Sequence, residues 1–358
     1  MNAPFRPAAL RVSVADLGDP AELRRIDAFV LAHPGGTPFH RPAWLVGSAK
    51  GTGNRAHALL AERGGEIAAY LPLTEIHSPL FGRMLASSGF AVGGGLLAED
   101  SISGGSIFAA LEAMALRLSC PAIELRGGAL PLRRAGWLIK RDSHCGFVQP
   151  LAADDEAQLT QIPRKQRAEV RKGLAGELTV TAGTAAADRA AHYAVYAESV
   201  RNLGTPVFPA KLFAAVLDAF GDDADILTVW NGATPVASVL SLYHDGAVMP
   251  YWGGGTHAAR RLRANDRMYY ELMLYARRRG CTRFDFGRSK THSGAYDFKR
   301  NWGFEPEPLS YAVWTAPGTA PRDADPTSAR HAARIALWKR LPLPLANLLG
   351  PHIARGLG

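Results

Sequence analysis

One stretch of the chain, residues 251–302, concentrates residue types that could bind an anion and act on it. A predicted strand ending in the glycine triplet 253–255 is followed by an arginine-rich segment at 260–263 and then by the start of a helix. Backbone N–H groups at a helix N-terminus lack partners within the helix and can bind an anion placed there. Arginine adds a permanently charged, planar donor that suits phosphate and carboxylate groups. The stretch therefore predicts a site for an anionic substrate or cofactor.

Several other signatures of catalytic sites are missing from the sequence. There is no G-x-x-x-x-G-K-[ST] phosphate loop, no H-E-x-x-H and no G-x-S-x-G elbow. Residues 51–56 spell G-x-G-x-x-A, but no strand precedes them and no helix follows, so we interpret them as a loop. The eleven histidines lack the spacing of metal ligands, and no metal site is predicted.

The elements before the glycine triplet are predicted from apolar periodicity and turn residues. Residues 211–220 place apolar side chains on one face of a helix. Three apolar runs follow, separated by two turn dipeptides: 225–230, Asn231-Gly232, 235–244, Asp245-Gly246 and 247–252. Since Asn-Gly and Asp-Gly favour the type I′ turns of hairpins, we predict an antiparallel three-stranded meander.

Capping signals bound the helix that follows the meander. We predict that 260–263 is a loop and that the helix begins at 265–266, where Asn and Asp are good N-caps. The arginines at 277–279 complement the helix dipole in its last turn, and Gly280 suits the C-cap. A further strand is predicted at 283–286.

The N-terminal half repeats this order of elements. A predicted meander at 56–90 is followed by a glycine triplet at 93–95, a helix at 106–118 and a strand at 122–125. The triplets at 93–95 and 253–255 are 160 residues apart. The same order at a constant offset favours a duplicated domain over a chance match of two generic α/β halves.

The composition limits the class of protein. With 358 residues, 47% hydrophobic and 20% charged, the chain suits two folded cores rather than a disordered protein. Lys and Arg number 41 against 32 acidic residues, which fits polyanionic substrates and equally a GC-rich genome that favours Arg codons. No apolar run reaches the roughly 18 residues of a membrane-spanning helix. No export signal is seen at the N-terminus, and three well-separated cysteines fit a reducing cytosol, so a cytoplasmic location is predicted.

Two segments stand apart from the repeated elements. Residues 161–172 are predicted as a basic helix with Pro163 at N1, which either binds a polyanion such as tRNA or presents a solvated charged face. Residues 317–328 are predicted as a linker. Residues 329–358 form a basic amphipathic tail, which packs on its own domain or contacts a membrane surface or a partner protein.

The succession of meander, glycines, helix N-terminus and strand resembles the acetyltransferase fold of the GNAT superfamily. The resemblance implies an α/β protein with mixed sheets, built from two tandem GNAT-like (acyl-CoA N-acyltransferase) domains. It also implies that the cofactor pyrophosphate lies at the helix N-terminus, with Arg261, Arg263 and Asn265 as phosphate-binding residues. The family motif R/Q-x-x-G-x-G/A is replaced here by 261–266 without its glycines. The donor therefore stays open between acyl-CoA and aminoacyl-tRNA, and no tightly bound cofactor is expected.

Two motifs carry a closer resemblance, F-D-F-G-R-S at 284–289 and Y-D-F-K-R-N-W-G-F at 296–304. They closely resemble the Fem family of tandem-GNAT transferases and the related BioF-like acetyltransferase domains. Among these, the sequence is most similar to FemAB-type proteins associated with the PEP-CTERM/exosortase system of Gram-negative bacteria. Fem enzymes transfer an amino acid from aminoacyl-tRNA to the amine of a cell-wall precursor, and the aromatic-Phe-Lys motif provides their catalytic lysine. The resemblance implies this role for Lys299, which we expect to be held between Phe298 and Trp302.

A lysine at that position suits acyl transfer to an amine. Negative charge develops on the carbonyl oxygen during the attack, and a fixed cation or N–H donor there lowers the barrier by about 3 kcal/mol. The amine must also lose a proton, and Asp285 and Asp297 are the candidate general bases. The remaining predicted site residues would bind substrate: Tyr251, Trp252, Gly253, Gly254, Arg288, Ser289, Lys290, Tyr296, Phe298 and Trp302.

These observations predict an N-terminal GNAT-like domain at 10–160, a C-terminal GNAT-like domain with the active site at 161–316, and a linker and tail at 317–358. The predicted function is acyl or aminoacyl transfer to an amine of a cell-envelope or exopolysaccharide precursor, in the cytoplasm or at the inner face of the membrane. One alternative is an acyl-CoA-dependent N-acetyltransferase. Another, of a different class, is a non-catalytic scaffold of an envelope or exosortase assembly system. The oligomeric state stays open.

Overall fold

The computed structural model describes residues 9–102, 104–320 and 329–358, with the backbone alone for 329–332. The described chain forms two compact units. Unit 1 takes the described residues of Met1–Lys140, Ser310–Asp323 and Gly356–Gly358, and unit 2 takes those of Arg141–Leu309 and Ala324–Arg355. The domain boundaries after residues 160 and 316 stay predictions, and the compact units divide the chain at other points.

Unit 1 is a mixed β-sheet covered by helices. Its first elements are β1 (Arg11–Val14), α1 (Pro20–Ala32), α2 (Pro42–Thr52), β2 (Arg55–Arg63), β3 (Glu66–Ser78), β4 (Gly82–Ser87), β5 (Leu97–Ala98), α3 (Gly105–Arg117) and β6 (Ala122–Arg126). The sheet order is β1-β2-β3-β4-β6, with β5 paired to β3. β4 and β6 run parallel at Leu85↔Ile123 and Ala86↔Glu124, and the other neighbouring pairs are antiparallel. Apolar side chains of α3 such as Ile107 are buried in one core with residues of this sheet.

Unit 2 contains most of the later elements. In chain order these are β7 (Trp137–Gly146), β8 (Val148–Pro150), α4 (Asp155–Gln161), α5 (Arg164–Ala175), β9 (Leu178–Gly183), α6 (Ala186–Leu203), α7 (Ala210–Phe220), β10 (Ala224–Asn231), β11 (Thr234–His244), β12 (Ala247–Gly255), α8 (His257–Leu262), α9 (Ala264–Arg278), β13 (Arg283–Asp285), β14 (Ser289–Lys290), α10 (Gly294–Asn301), β15 (Glu307–Thr315), α11 (Ala329–Arg340) and α12 (Leu343–Ala354). Strand β7 begins in unit 1 and β15 ends there.

The sheet of unit 2 opens at the site predicted from the sequence. Its order is β8-β13-β12-β11-β10-β9. β12 and β13 pair in parallel at only two positions, Ala247↔Arg283 and Val248↔Phe284. β12 then continues to Gly255 along β11, while β13 ends at Asp285. The two strands therefore separate after Phe284, as expected for a GNAT fold.

The two units repeat one order of elements, which confirms the predicted tandem fold. Apart from the short strand β5 of unit 1 and the additional helix α8 of unit 2, the series β1-α1-α2-β2-β3-β4-α3-β6 corresponds to β9-α6-α7-β10-β11-β12-α9-β13. The outer strand beside β6 is β15, paired at Tyr311–Thr315, and the outer strand beside β13 is β8. Each sheet is thus completed by a strand that lies outside its own repeat in the sequence.

The meander of unit 2 forms as predicted, with one difference in its turns. β10, β11 and β12 are antiparallel neighbours. Asp245 and Gly246 both have positive φ, 45° and 68°, as a type I′ turn requires. At the first turn only Gly232 has positive φ, 58°, and the register shifts between Val229 and Trp230. Asn231 pairs with Thr234, so the central residues of this turn are Gly232 and Ala233, and the expectation of a type I′ turn at Asn231-Gly232 is wrong.

The segment before α9 is helical rather than a loop. Residues 257–262 form α8, and Arg263, in the left-handed conformation at φ 54°, both ends α8 and caps α9. Its N–H donates to the carbonyl of Arg260, and its own carbonyl accepts from the N–H of Arg267. One residue thus satisfies backbone groups of both helices, which moves the start of α9 to Ala264 rather than to 265–266.

Two further boundaries differ from the predictions. Gln161 belongs to α4, and Pro163 is the N-cap of α5 rather than N1. Ile162 between them is extended, because a residue that precedes proline disfavours the helical conformation. In unit 1, the predicted loop at 51–56 is reduced to residues 53–54, because α2 runs to Thr52 and β2 begins at Arg55.

The tail folds into the two helices α11 and α12, and both pack against α6 in unit 2. Of the predicted linker, residues 321–328 lie outside the described residues. Within the described chain, every helix is too short or too polar to cross a bilayer.

Candidate active site

Lys299 is a buried lysine held by backbone carbonyls. It lies on α10, whose N-cap Ser293 accepts a hydrogen bond from the N–H of Tyr296 at 3.3 Å. Only 9% of the lysine is exposed. Its Nζ donates to the carbonyl oxygens of Gly287 and Arg288, each at 3.0 Å. The loop after β13 therefore fixes the amine in one position.

Aromatic rings complete the surroundings of this amine. The Nζ lies 5.3 Å from the ring centroid of Phe147 and 5.5 Å from that of Phe286, within the range of cation–π attraction. Phe298 and Trp302, expected to hold the lysine, pack on Tyr269 with ring centroids 5.7 Å and 6.1 Å away. Phe147 precedes β8, far from the motifs in sequence, and no local pattern singled it out.

Burial lowers the pKa of Lys299 to about 8, and the nearby carboxylate of Asp285 opposes that shift. The amine is therefore mostly protonated at neutral pH. An ammonium has three N–H donors, of which two bind the carbonyls of Gly287 and Arg288. In the described residues the third donor has no hydrogen-bond partner, so one N–H remains for a ligand.

Asp285, the last residue of β13, shapes the loop that holds Lys299. Its Oδ1 accepts a hydrogen bond from the N–H of Gly287 at 2.8 Å. Gly287 has φ 70°, a conformation that residues other than glycine rarely adopt. Burial raises the pKa of Asp285, while the charge of Lys299 and the bond from Gly287 oppose the shift. The carboxylate is thus both the anchor of the turn and a counter-charge for the lysine.

Asp297, the other predicted base, has an exposed side chain in the first turn of α10. Its backbone N–H donates to the carbonyl of Ser293. A carboxylate in this position stabilises the helix dipole. The structure therefore places the two candidate bases in different surroundings, Asp285 half-buried beside Lys299 and Asp297 open to solvent.

The aromatic residues of the motif are mostly part of the core. Trp302 is buried and its Nε1 has no hydrogen-bond partner in the described residues. Phe298 is partly buried in the same aromatic cluster, and burial raises the pKa of Tyr269 beside it to about 12. Tyr296 stacks edge-on against Phe147 at 5.5 Å between centroids. Tyr296 therefore contacts one ring beside the Lys299 amine, that of Phe147, while Phe298 and Trp302 contact the other, that of Phe286.

The residues after Gly287 are held in a short strand. Ser289 and Lys290 form β14 and pair with Cys145 and His144 of β7. Ser289 is buried and its hydroxyl has no hydrogen-bond partner in the described residues. Arg288, just before the strand, is half-exposed. The pairing with β7 thus fixes the loop that carries the two carbonyls.

Tyr251 and Trp252 lie at an irregularity of β12. The register with β11 shifts between Trp252 and Pro250, which leaves Tyr251 as the extra residue of a β-bulge. Bulges commonly redirect a side chain beside an active site. Trp252 is buried, with its ring centroid 4.8 Å from that of Phe213 on α7. Tyr251 is half-exposed, so of the two it is the better placed to meet a ligand.

Close packing explains the glycine triplet. A Cβ at Gly253 would lie 2.8 Å from Cγ2 of Val239, and a Cβ at Gly254 would overlap with Oγ of Ser199 on α6. A Cβ at Gly255 would lie 2.5 Å from Oδ1 of Asn265. The glycines therefore let α6 and α9 approach β12. Contact of Gly253 and Gly254 with substrate stays a prediction.

The predicted phosphate-binding residues differ in their availability. Arg263 forms an ion pair with Glu169 of α5, Nε to Oε2 at 2.7 Å. Asn265 has a buried Oδ1 without a hydrogen-bond partner in the described residues, and an acceptor atom of this kind does not bind phosphate. Arg261 is exposed. Of the three, the structure therefore leaves Arg261 in the most open position.

A carboxylate occupies the first turn of α9. Asp266 accepts a hydrogen bond from Nε2 of the buried Gln166 on α5 at 2.6 Å. Burial raises the pKa of Asp266, and the bond from Gln166 opposes the shift. Negative charge is favourable at a helix N-terminus, and here a side chain supplies part of it. The sequence predicts only a capping role for Asp266, and no local pattern points to Gln166.

The helix α5 beside α9 carries a group of exposed cations. These are Arg164, Lys165, Arg171 and Lys172. The two helices are joined by the Gln166–Asp266 bond and by Arg267, whose Nη1 donates to the carbonyl of Gly173 at 3.4 Å.

Among the described residues, no cluster of three His, Cys, Asp or Glu side chains is suited to a metal ion.

A comparison with protein families matches residues 161–300 to the acetyltransferase (GNAT) domain. This part of the chain is a GNAT acyltransferase domain. It contains the α9 N-terminus, the separated strands β12 and β13, and Lys299. The match confirms the predicted enzyme class. No curated protein matches the chain significantly.

Solved structures extend the GNAT fold beyond this domain. FemX has 16% identity and a TM-score of 0.64, with 80% of this chain and 95% of that chain covered. A tandem GNAT protein from the clavulanic acid biosynthesis pathway has 12% identity and a TM-score of 0.55, with 87% and 100% covered. L-PGS from Bacillus licheniformis has 14% identity and a TM-score of 0.53, with 90% and 96% covered. These similarities confirm the predicted FemAB-type tandem-GNAT fold, while the PEP-CTERM association stays a prediction.

Proposed function

We propose that the GNAT domain transfers an acyl or aminoacyl group to an amine of a cell-envelope or exopolysaccharide precursor, with the ammonium of Lys299 stabilising the reacting carbonyl oxygen. The observation that carries this proposal is the geometry of that ammonium. It is buried, two of its donors are fixed by Gly287 and Arg288, and the third has no partner in the described residues.

The proposed step is a direct attack of the acceptor amine on the donor carbonyl. As the C–N bond forms, the carbonyl oxygen becomes negative and accepts a hydrogen bond from the third N–H of Lys299. The intermediate collapses with loss of the donor's oxygen or sulfur leaving group, and the nitrogen loses a proton. Because the lysine is already oriented, it can lower the barrier by about 3 kcal/mol.

Of the two predicted bases, Asp285 is the better supported for taking the proton. Its raised pKa makes it a stronger base than an ordinary carboxylate, and it interacts electrostatically with Lys299. Asp297 is instead exposed to solvent. Asp285 in this role would hold the turn through Oδ1 and receive the proton at its other oxygen.

The surroundings of α9 support aminoacyl-tRNA as the donor. The carboxylate of Asp266 in the first turn disfavours a pyrophosphate there, since two anions would compete for one helix N-terminus. The exposed cations of the adjacent α5 suit an extended phosphate backbone. An acyl-CoA donor is favoured instead by the lack of a side-chain cap bond at the N-terminus of α9.

Transfer assays with Lys299→Met test this function. The full chain would be incubated with labelled aminoacyl-tRNA or acyl-CoA and with amine-bearing envelope precursors. Lys211→Met is the control, because Lys211 is an exposed lysine at the start of α7. Loss of about 3 kcal/mol of stabilisation corresponds to roughly a hundredfold lower kcat for Lys299→Met alone. Equal rates for all three proteins would contradict the role of Lys299, and absence of transfer from either donor would favour the scaffold.

A further inference from the structure

Helix α12 buries only small residues and exposes three of its leucines. The residues that face unit 2 are small, namely Ala346, Gly350 and Ala354, and all three are buried. Leu345, Leu348 and Leu349 occupy the opposite face and are exposed, Leu348 to 66%. A helix that packs on a protein normally shows the reverse arrangement. Burial within unit 2 therefore does not account for these leucines.

Helices α6 and α11 also expose leucines, and α6 packs against both α11 and α12. On α11, Leu337 is 65% exposed, and at the end of α6 Leu203 is 66% exposed. α11 lies against the residue after Leu203, since a Cβ at Gly204 would be 2.5 Å from Cγ2 of Ile335. Twelve large hydrophobic side chains are exposed in the described residues, and five of them belong to these three helices. The leucines at 203, 337, 345, 348 and 349 are called the outer leucines below.

The charge around the outer leucines has one sign. From Ala329 to Gly358 the sequence contains five Arg or Lys residues and no Asp or Glu. Arg334, Lys339 and Arg340 are exposed. Leucines flanked by cations are typical of helices that lie in the headgroup region of a bilayer. Each basic residue near an anionic lipid surface contributes about 1 kcal/mol of attraction.

We infer that the face formed by the outer leucines and these cations docks on an anionic lipid bilayer. The two tail helices lie in the plane of the headgroups, with leucines inserted among the acyl chains and the cations at the phosphates. Charge complementarity selects lipid over a second copy of the chain, because two such faces would bring cations against cations. Docking of this kind is independent of acyl transfer by the GNAT domain.

Vesicle co-sedimentation of the full chain tests the inference. We expect binding to phosphatidylcholine vesicles that contain about 30 mol% phosphatidylglycerol, and much weaker binding to phosphatidylcholine alone. Leu345→Gln with Leu348→Gln, and separately Lys339→Gln with Arg340→Gln, should each lower the partition coefficient about tenfold. Salt at about 0.5 M should weaken wild-type binding through screening.

Matched controls keep the test specific. Leu31→Gln with Leu116→Gln removes two exposed leucines from helices of unit 1, and Arg24→Gln with Lys50→Gln removes two exposed cations there. Both controls should bind vesicles like wild type. The inference is overturned if wild type does not bind the anionic vesicles, or if tail and control variants bind equally well. It is also overturned if the chain self-associates in size-exclusion chromatography and the tail variants abolish that association instead.

Discussion

Asp285 and Lys299 are joined through a single residue. The N–H of Gly287 donates to Oδ1 of Asp285 at 2.8 Å, and the carbonyl of Gly287 accepts from Nζ of Lys299 at 3.0 Å. A change at the carboxylate therefore reaches the amine in two ways, through the position of the loop and through the electrostatic attraction between the two charges.

Asp285→Asn should lower the pKa of Lys299 further. The amide oxygen still accepts from Gly287, but the charge that raises the pKa of Lys299 is lost, so that pKa should fall below 8. The alkaline limb of a pH profile of kcat/KM should then move to lower pH. Asp297→Asn, at an exposed site on the same helix as Lys299, serves as the control and should leave the limb in place. An unchanged limb in Asp285→Asn would contradict the coupling.

Activity of the wild type should fall as the pH rises through about 8, because a protonated Lys299 is required and its pKa is about 8. Below that pH the lysine carries its charge, although the acceptor amine then loses its proton less readily, so a bell-shaped profile is expected. The profile would be measured as kcat/KM in single-turnover assays. Activity that rises through pH 8 and reaches a plateau would instead identify Lys299 as a general base.

The free energy of unfolding of unit 2 should depend on pH through the same pKa of Lys299. The folded pKa of Lys299, about 8, lies below the ordinary value of 10.5. Between these two pH values the unfolded chain binds the proton and the folded chain does not, so the free energy of unfolding should rise with pH. Urea titrations at several pH values would show this rise in wild type and its loss in Lys299→Met. Parallel curves for the two proteins would argue against a buried, titrating amine.

Gly254→Ala should destabilise the protein by about 2 kcal/mol, because the added methyl group overlaps with Ser199 in a close-packed contact. Ser199→Gly removes the overlapping atoms, so the double variant should recover much of the loss. Gly294→Ala is the control, since a Cβ there meets nothing within 4 Å. Chemical denaturation of wild type and of these four variants measures the effect. A loss that Ser199→Gly fails to relieve would show that packing against α6 is not the reason for the glycine.

Binding of tRNA should depend on the cations of α5. Lys165→Gln with Arg171→Gln removes two exposed charges and should reduce the slope of log K against log salt by about two. Fluorescence anisotropy at several salt concentrations measures that slope, with Arg24→Gln plus Lys50→Gln as the control in unit 1. An unchanged slope, together with thermal stabilisation by a CoA thioester, would favour the acyl-CoA alternative.

Residues close together in the sequence determined many of the secondary-structure elements of this protein and their order. Turn dipeptides and apolar periodicity predicted the meander of unit 2, and the repeated order of elements predicted two related folds. These signals are readable because turns and helix ends depend on residues close together in the chain. The resemblance of residues 284–304 to the Fem family identified Lys299 as the candidate catalytic lysine.

Only the tertiary structure decided what surrounds Lys299. Phe147 reaches the amine because β8 pairs with β13, and the carbonyls of Gly287 and Arg288 face it because Asp285 holds the turn. Local periodicity also does not predict the positions of the outer strands β8 and β15, or the exposed leucines of α12. Both depend on which distant segments pack together, and that choice follows from the summed burial of whole faces rather than from any short pattern of residues.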